Sequence, residues 1–115
     1  MEIDKSRIEA EFKTLQTRLK SQFGRQPGID AILFIIGMNA LGKGNVKYER
    51  DEKMNLMHVA HCTIFALSGY YELEKYDDDG WPHFKTLKPY PAMELEQQEL
   101  FLKEHILKYF QSIEY

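Results

Sequence analysis

The chain has 115 residues, of which 43% are hydrophobic and 29% are charged; this size and composition fit one globular domain and exclude a disordered or fibrous protein. Eighteen acidic residues against 15 basic ones give a net charge of −3, which argues against nucleic-acid binding that relies on bulk positive charge. The single cysteine, Cys62, excludes an intramolecular disulfide and favours a reducing, cytoplasmic environment.

The first predicted helix follows from a stripe of apolar residues. Ser6 and Glu9 are spaced as in a capping box, which predicts the start of the helix, and Gly24 predicts its end. The stripe recurs at steps of three or four residues and consists of Ile8, Phe12, Leu15, Leu19 and Phe23.

The second segment, residues 29–41, is apolar nearly all round. Its core, residues 31–38, suits a buried strand as well as a buried helix. The period continues to Leu41, Asp30 lies where a helix dipole favours negative charge, and residues 42–44 resemble a C-terminal cap. We therefore predict a helix that is buried at the centre of the core.

The third segment, residues 48–67, reads as a helix that ends at Ser68 and Gly69. Its predicted core stripe is Leu56, Ala60, Ile64 and Leu67.

Two aromatic-rich alternating runs, residues 70–76 and 81–87, flank the turn Asp77–Gly80 and predict a β-hairpin. Pro82 places the second strand at an edge, since it cannot donate to a ladder. Residues 92–112 then predict a last helix with the stripe Leu95, Leu102, Ile106, Tyr109 and Ile113. The predicted fold is mainly α (α+β), a single domain over residues 1–115 with four helices and a hairpin between helices 3 and 4.

Three side chains on the third helix could ligate a metal. His58, His61 and Cys62 are three and four residues apart, so one helical face brings them within reach of one another. The alternative is that the two histidines line the seam between helix and hairpin and that Cys62 is a small core residue. Residues 37–43 match part of a phosphate-binding loop, but Gly44 stands where that loop needs Ser or Thr. We expect no cofactor, and a non-catalytic protein rather than an enzyme.

The predicted hairpin is the least ordinary part of the chain. Residues 72–79 hold five acids and one lysine, and aromatic residues are concentrated around them. Aromatic side chains are favoured at interface hot spots and also in hairpins that pack on helices. The binding surface that we predict here consists of Tyr71, Tyr76, Asp78, Trp81 and Phe84.

Three segments, residues 30–37, 55–62 and 80–84, resemble those of a family of small conserved bacterial proteins of unknown function. The resemblance implies no reaction, cofactor or site.

From the residues we predict a small cytoplasmic binding or adaptor protein that recognises a protein partner through the hairpin, with homodimerisation left open. We expect neither nucleic acid nor a membrane as a partner, because the longest uninterrupted apolar run, residues 31–36, is far shorter than a spanning helix. The alternative function is a small metal-binding protein or metalloenzyme that uses the face of His58 and His61.

Overall fold

The computed structural model of the chain describes residues 3–42 and 47–115. Over these residues the architecture is helical with one two-stranded antiparallel sheet, and the sheet lies in sequence between the third and fourth helices. The predicted fold class is therefore confirmed. The elements are α1 (Lys5–Phe23), α2 (Ile29–Leu41), α3 (Arg50–Ala66), β1 (Tyr71–Tyr76), β2 (Pro82–Thr86) and α4 (Leu95–Ser112).

The elements form two compact units. One contains α1 and α4, and the other, Asp30–Tyr90, contains almost all of α2, then α3 and the hairpin. The assignment of residues 1–115 to a single domain stays a prediction. Among the described residues, no helix combines the length and the apolar character that crossing a membrane requires.

Helices α1 and α4 run parallel to each other. Lys5 Nζ lies 2.6 Å from Glu96 Oε1, and further along both helices Lys103 Nζ lies 2.7 Å from Glu9 Oε1. Because the partners advance in the same direction along the two helices, the helices are parallel. The buried residues of α1 are Ile8, Phe12, Leu15 and Leu19, which are four of the five predicted stripe positions.

The start of α1 differs from the prediction. Asp4 is the N-cap residue, and its side chain accepts a hydrogen bond from the backbone N–H of Arg7 at 3.1 Å. The predicted capping box of Ser6 and Glu9 is wrong, because the helix already begins at Lys5 and Ser6 lies inside its first turn. A capping side chain must stand just before the first helical residue, which Asp4 does.

Helices α3 and α4 each begin after a glutamate. The backbone N–H of Glu49 donates to the Glu52 side chain at 3.0 Å, and that of Glu94 donates to Gln97 at 3.3 Å. These reciprocal caps set the starts of both helices. The last helix therefore begins three residues later than the predicted start at Ala92.

The predicted stripes extend too far at the helix ends. Phe23 and Leu67 are 46% and 47% exposed, and in α4 Leu95 is 81% and Ile113 is 47% exposed. Periodicity continues to the last apolar residue, whereas burial ends where the covering element ends. The end of α1 is correct, because Gly24 adopts the left-handed conformation with φ of 78° and its N–H donates to Lys20 O.

Helices α2 and α3 pack closely at Gly37. A Cβ at this position would lie 2.4 Å from the carbonyl oxygen of Leu56, so only glycine permits the contact. The buried residues of α2 besides this glycine are Ile32, Leu33, Ile36 and Leu41. The cap predicted at residues 42–44 lies in part outside the described residues, but Gly42 has φ of 77° and its N–H donates to Met38 O.

The hairpin turn is built around one side chain. Asp77 Oδ1 accepts hydrogen bonds from the backbone N–H groups of Asp79 and Trp81, at 3.0 and 2.9 Å. Gly80 has φ of 85°, a conformation that glycine adopts without a steric penalty. The strands pair in an antiparallel register with an irregularity in β1 between Leu73 and Lys75. The Asp-Gly sequence thus forms the turn that the hairpin prediction required.

Candidate functional site

A cleft of about 370 Å³ lies between one face of α3 and the turn end of the hairpin. This volume falls in the range of about 300–1,000 Å³ that small-ligand pockets occupy. Its lining is mixed, since aromatic and aliphatic side chains lie beside carboxylates, imidazoles and an amide. Helix α3 contributes Asn55, His58 and Val59, and the hairpin contributes Asp77, Asp79, Trp81, Pro82, His83 and Phe84.

Trp81 is held in place from behind. It packs against the buried cluster of Leu41, Tyr48 and Leu56, and it also lines the cleft. The next residue, Pro82, is buried and begins β2. The indole is therefore a fixed wall of the cleft, and a fixed aromatic wall costs little conformational entropy when a ligand binds.

Asp77 is occupied by internal bonds. His83 Nε2 lies 2.9 Å from Asp77 Oδ2, while the other carboxylate oxygen accepts the two turn amides. The hydrogen bond from His83, followed by the backbone N–H of Trp81, holds the pKa of Asp77 below its ordinary value. Asp77 thus shapes the turn and orients the His83 ring at the cleft edge.

The other carboxylates of the hairpin point into solvent or into the cleft. Within residues 3–42 and 47–115, none of them forms an ion pair; they are Glu72, Glu74, Asp78 and Asp79. All four residues are exposed, and Asp79 also lines the cleft. The mouth of the cleft is consequently negatively charged.

The three predicted metal ligands on α3 do not converge. His58 Nε2 lies 3.6 Å from Cys62 Sγ, whereas His61 Nε2 bonds the hydroxyl of Tyr90 at 2.7 Å. Burial raises the pKa of the Cys62 thiol to about 11, so the thiol is protonated near neutral pH. In the part of the chain that the structure describes, no three His, Cys, Asp or Glu side chains are grouped so that they could hold a metal ion. The metal alternative stays a prediction without a ligand set.

His61 belongs to a cluster of aromatic rings that is separate from the cleft. The Tyr90 hydroxyl donates its one proton to the hydroxyl of Tyr71 at 3.1 Å, and it therefore accepts the hydrogen bond from His61 Nε2. The rings of Phe65 and Tyr70 lie within 6.1 Å of each other and within 5.1 Å of the Tyr90 ring. Burial, and then the neighbouring His58, lower the pKa of His61. Here the seam interpretation of the histidine fits the geometry.

The predicted binding residues are divided between these places. Trp81 and Phe84 line the cleft, Asp78 is exposed in the turn, and Tyr76 is 60% exposed at the end of β1. Tyr71 instead belongs to the aromatic cluster around His61.

The prediction of the site omitted six cleft residues, which are Asn55, Val59, Asp77, Asp79, Pro82 and His83. Asn55 and Val59 could have been found from the helical face, because Asn55 stands one turn before His58. Asp77 and Asp79 were assigned to a turn, and no sequence signal distinguishes an acid that builds a turn from one that lines a cleft.

Comparisons with known proteins add no relative to this geometry. The chain matches no protein-family model. It matches no curated protein. It also matches no solved structure. The resemblance to small bacterial proteins therefore stays a prediction.

Proposed function

We propose that this chain is a small non-catalytic binding protein that recognises a protein partner through the cleft and the hairpin around it. The observation that carries the proposal is the pairing of two aromatic rings in the cleft, Trp81 and Phe84, with exposed carboxylates that form no ion pair in the described residues. Buried aromatic anchors surrounded by a charged rim are the usual anatomy of a protein interface.

The titratable groups near the cleft support binding rather than catalysis. The Cys62 thiol is buried and protonated, whereas a nucleophilic cysteine needs a lowered pKa and an accessible sulfur. His83 is held by Asp77, the carboxylate that builds the turn. These groups serve local structure, whereas the exposed hairpin carboxylates that form no ion pair in the described residues have no such structural role.

The test is affinity capture of the tagged chain at native expression level, with quantitative mass spectrometry. We expect a stoichiometric partner that Trp81→Ala releases. Because Trp81 also packs on the core, Asp79→Lys provides a second cleft variant that leaves the packing intact. Phe23→Ala, which removes an aromatic ring that is 46% exposed on α1, is the matched control.

Retention of the partner by both cleft variants would contradict the proposal, as would recovery of the chain alone at every expression level. Circular dichroism and thermal unfolding of each variant confirm that the captured proteins are folded. If the partner is a second copy of the chain, sedimentation equilibrium shows a dimer that the same two variants dissociate.

A further inference from the structure

We infer that the cleft binds the side chain of a lysine or arginine that the partner presents. This inference rests on the proposed function and names the chemistry of the group that enters the cleft. Three features of the cleft support it: aromatic walls, an unneutralised carboxylate, and the net charge of the hairpin around it.

The walls of the cleft fit the apolar part of such a side chain. Trp81 and Phe84 present aromatic rings, and Val59 adds an aliphatic surface from α3. Lysine and arginine carry a flexible hydrocarbon stem that buries well against apolar surface while the charged end stays near water. An ammonium or guanidinium over an aromatic face is further attracted by the ring quadrupole, and tryptophan gives the strongest attraction.

The polar groups of the cleft fit the charged end. Asp79 lines the cleft and has no ion pair among the described residues, so its carboxylate can accept from a cation. Asn55 offers an amide oxygen from the opposite wall. Asp77 adds negative charge but is already bonded to His83 and to the turn amides.

The surrounding charge favours a cation over an anion. Residues 71–86 contain five acids and two lysines, so a phosphate or carboxylate ligand would approach against a negative potential. The remaining titratable groups that line the cleft are His58 and His83.

The chain contains its own reporter for this site. Trp81 is the only tryptophan, so fluorescence excited at the red edge of the absorption band, where the seven tyrosines absorb little, reports on the cleft. The probes are three blocked pentapeptides with alanine at four positions and arginine, lysine or citrulline at the centre. Citrulline preserves the shape of arginine and removes its charge. Each peptide is titrated to about 20 mM, which covers millimolar dissociation constants.

We expect a saturable change in Trp81 fluorescence with the arginine and lysine peptides and binding at least about tenfold weaker with citrulline, a difference of about 1.4 kcal/mol. Asp79→Asn should weaken binding of the arginine peptide about fivefold or more. Asp30→Asn, the same change at an exposed residue of α2, should have no effect on binding. No saturation by either cationic peptide, equal binding of citrulline, or an unchanged Asp79→Asn variant would each overturn the inference.

The result also separates this inference from the proposed function. If a partner is captured and released by Trp81→Ala, but neither cationic peptide binds, the lysine or arginine anchor is rejected and the protein-binding function is kept. If the cationic peptides bind saturably but no partner is captured, the protein-binding function is rejected. The claim that a partner presents the side chain is then rejected with it.

Discussion

The parallel helices α1 and α4 and the β-hairpin are both rich in charge, but they use it differently. Across the helices, Lys5, Arg7 and Lys103 pair with glutamates of the other helix. In the hairpin, the ion pair that the described residues show is Asp77 with His83. Much of the charge between these two helices is thus neutralised within the fold, whereas four of the hairpin's five carboxylates form no ion pair among the described residues.

Apolar side chains show the same difference. Helices α2 and α3 approach until a glycine meets the backbone of Leu56, while Leu73 and Tyr76 of β1 are 44% and 60% exposed. An element that contributes little burial of its own tolerates substitution, whereas closely packed helices do not. The following predictions, from the largest expected effect to the smallest, test whether the contrast holds.

Gly37→Ala should destabilise the protein most. The new methyl group would lie 2.4 Å from Leu56 O, so α2 and α3 must move apart. Overpacking of this kind costs about 1–3 kcal/mol, and we expect the upper end because the obstacle is backbone. Urea unfolding measures the change. Gly28→Ala, where a Cβ meets nothing within 4 Å, is the control. Equal stability of the two variants would show that the contact is loose.

Lys103→Met should have a smaller effect. Its ammonium lies 2.7 Å from Glu9 and 3.4 Å from Glu99, and 5.2 Å from the centre of the Phe12 ring. Methionine keeps an apolar stem but loses these attractions, and we expect a loss of about 1 kcal/mol that high salt reduces. Lys13→Met, on the exposed side of α1, should unfold like the parent. A salt-independent loss would mean that packing, not charge, holds the helices together.

His61 should make stability depend on pH. Its pKa in the folded chain lies below the ordinary 6.5, so as pH falls through 6.5 the unfolded chain takes up a proton before the folded chain does. The free energy of unfolding should therefore fall between pH 6.5 and the lower folded value, and His61→Gln should flatten that decline. Denaturant melts at a series of pH values measure it. A decline of the same slope in His61→Gln would assign it to other groups.

Asp79→Asn should change stability least. Its carboxylate is exposed and forms no ion pair in the described residues, so unfolding should shift by no more than about 0.5 kcal/mol. Thermal unfolding of the parent and variant checks this. Together with weakened binding of cationic peptides, an unchanged melt would show that the carboxylate serves recognition. A marked destabilisation would instead place Asp79 in the turn's internal bonding and weaken the contrast with α1 and α4.

The sequence was sufficient for the elements that local patterns determine. The apolar period of α1 predicted four of its buried positions, and the Asp77–Gly80 turn predicted the hairpin. The caps were harder, because Asp4 and Ser6 are equally good candidates by residue type and only the position of the first helical turn separates them.

Contacts between residues that are distant in the chain could not be predicted from the sequence. The spacing on α3 placed His58, His61 and Cys62 on one face of the helix. It could not show that His61 forms a hydrogen bond with Tyr90 instead of converging with the other two. The cleft itself arises where α3 meets the hairpin turn. Trp81 and Phe84 were predicted from their residue type, but Asn55 and the walls they form depend on that packing. Side-chain identity predicts which residues can bind, and tertiary structure decides which of them face the same space.

The parallel pairing of α1 and α4 has a consequence for synthesis on the ribosome. Lys5 meets a partner 91 residues later in the chain, and Lys103 and Glu9 are 94 residues apart. The apolar stripe of α1 therefore leaves the exit tunnel long before the helix that covers it, while the unit Asp30–Tyr90 emerges whole in between. We expect the nascent chain to fold that middle unit first and to hold its N-terminal helix uncovered, as a binding site for chaperones, until α4 is complete.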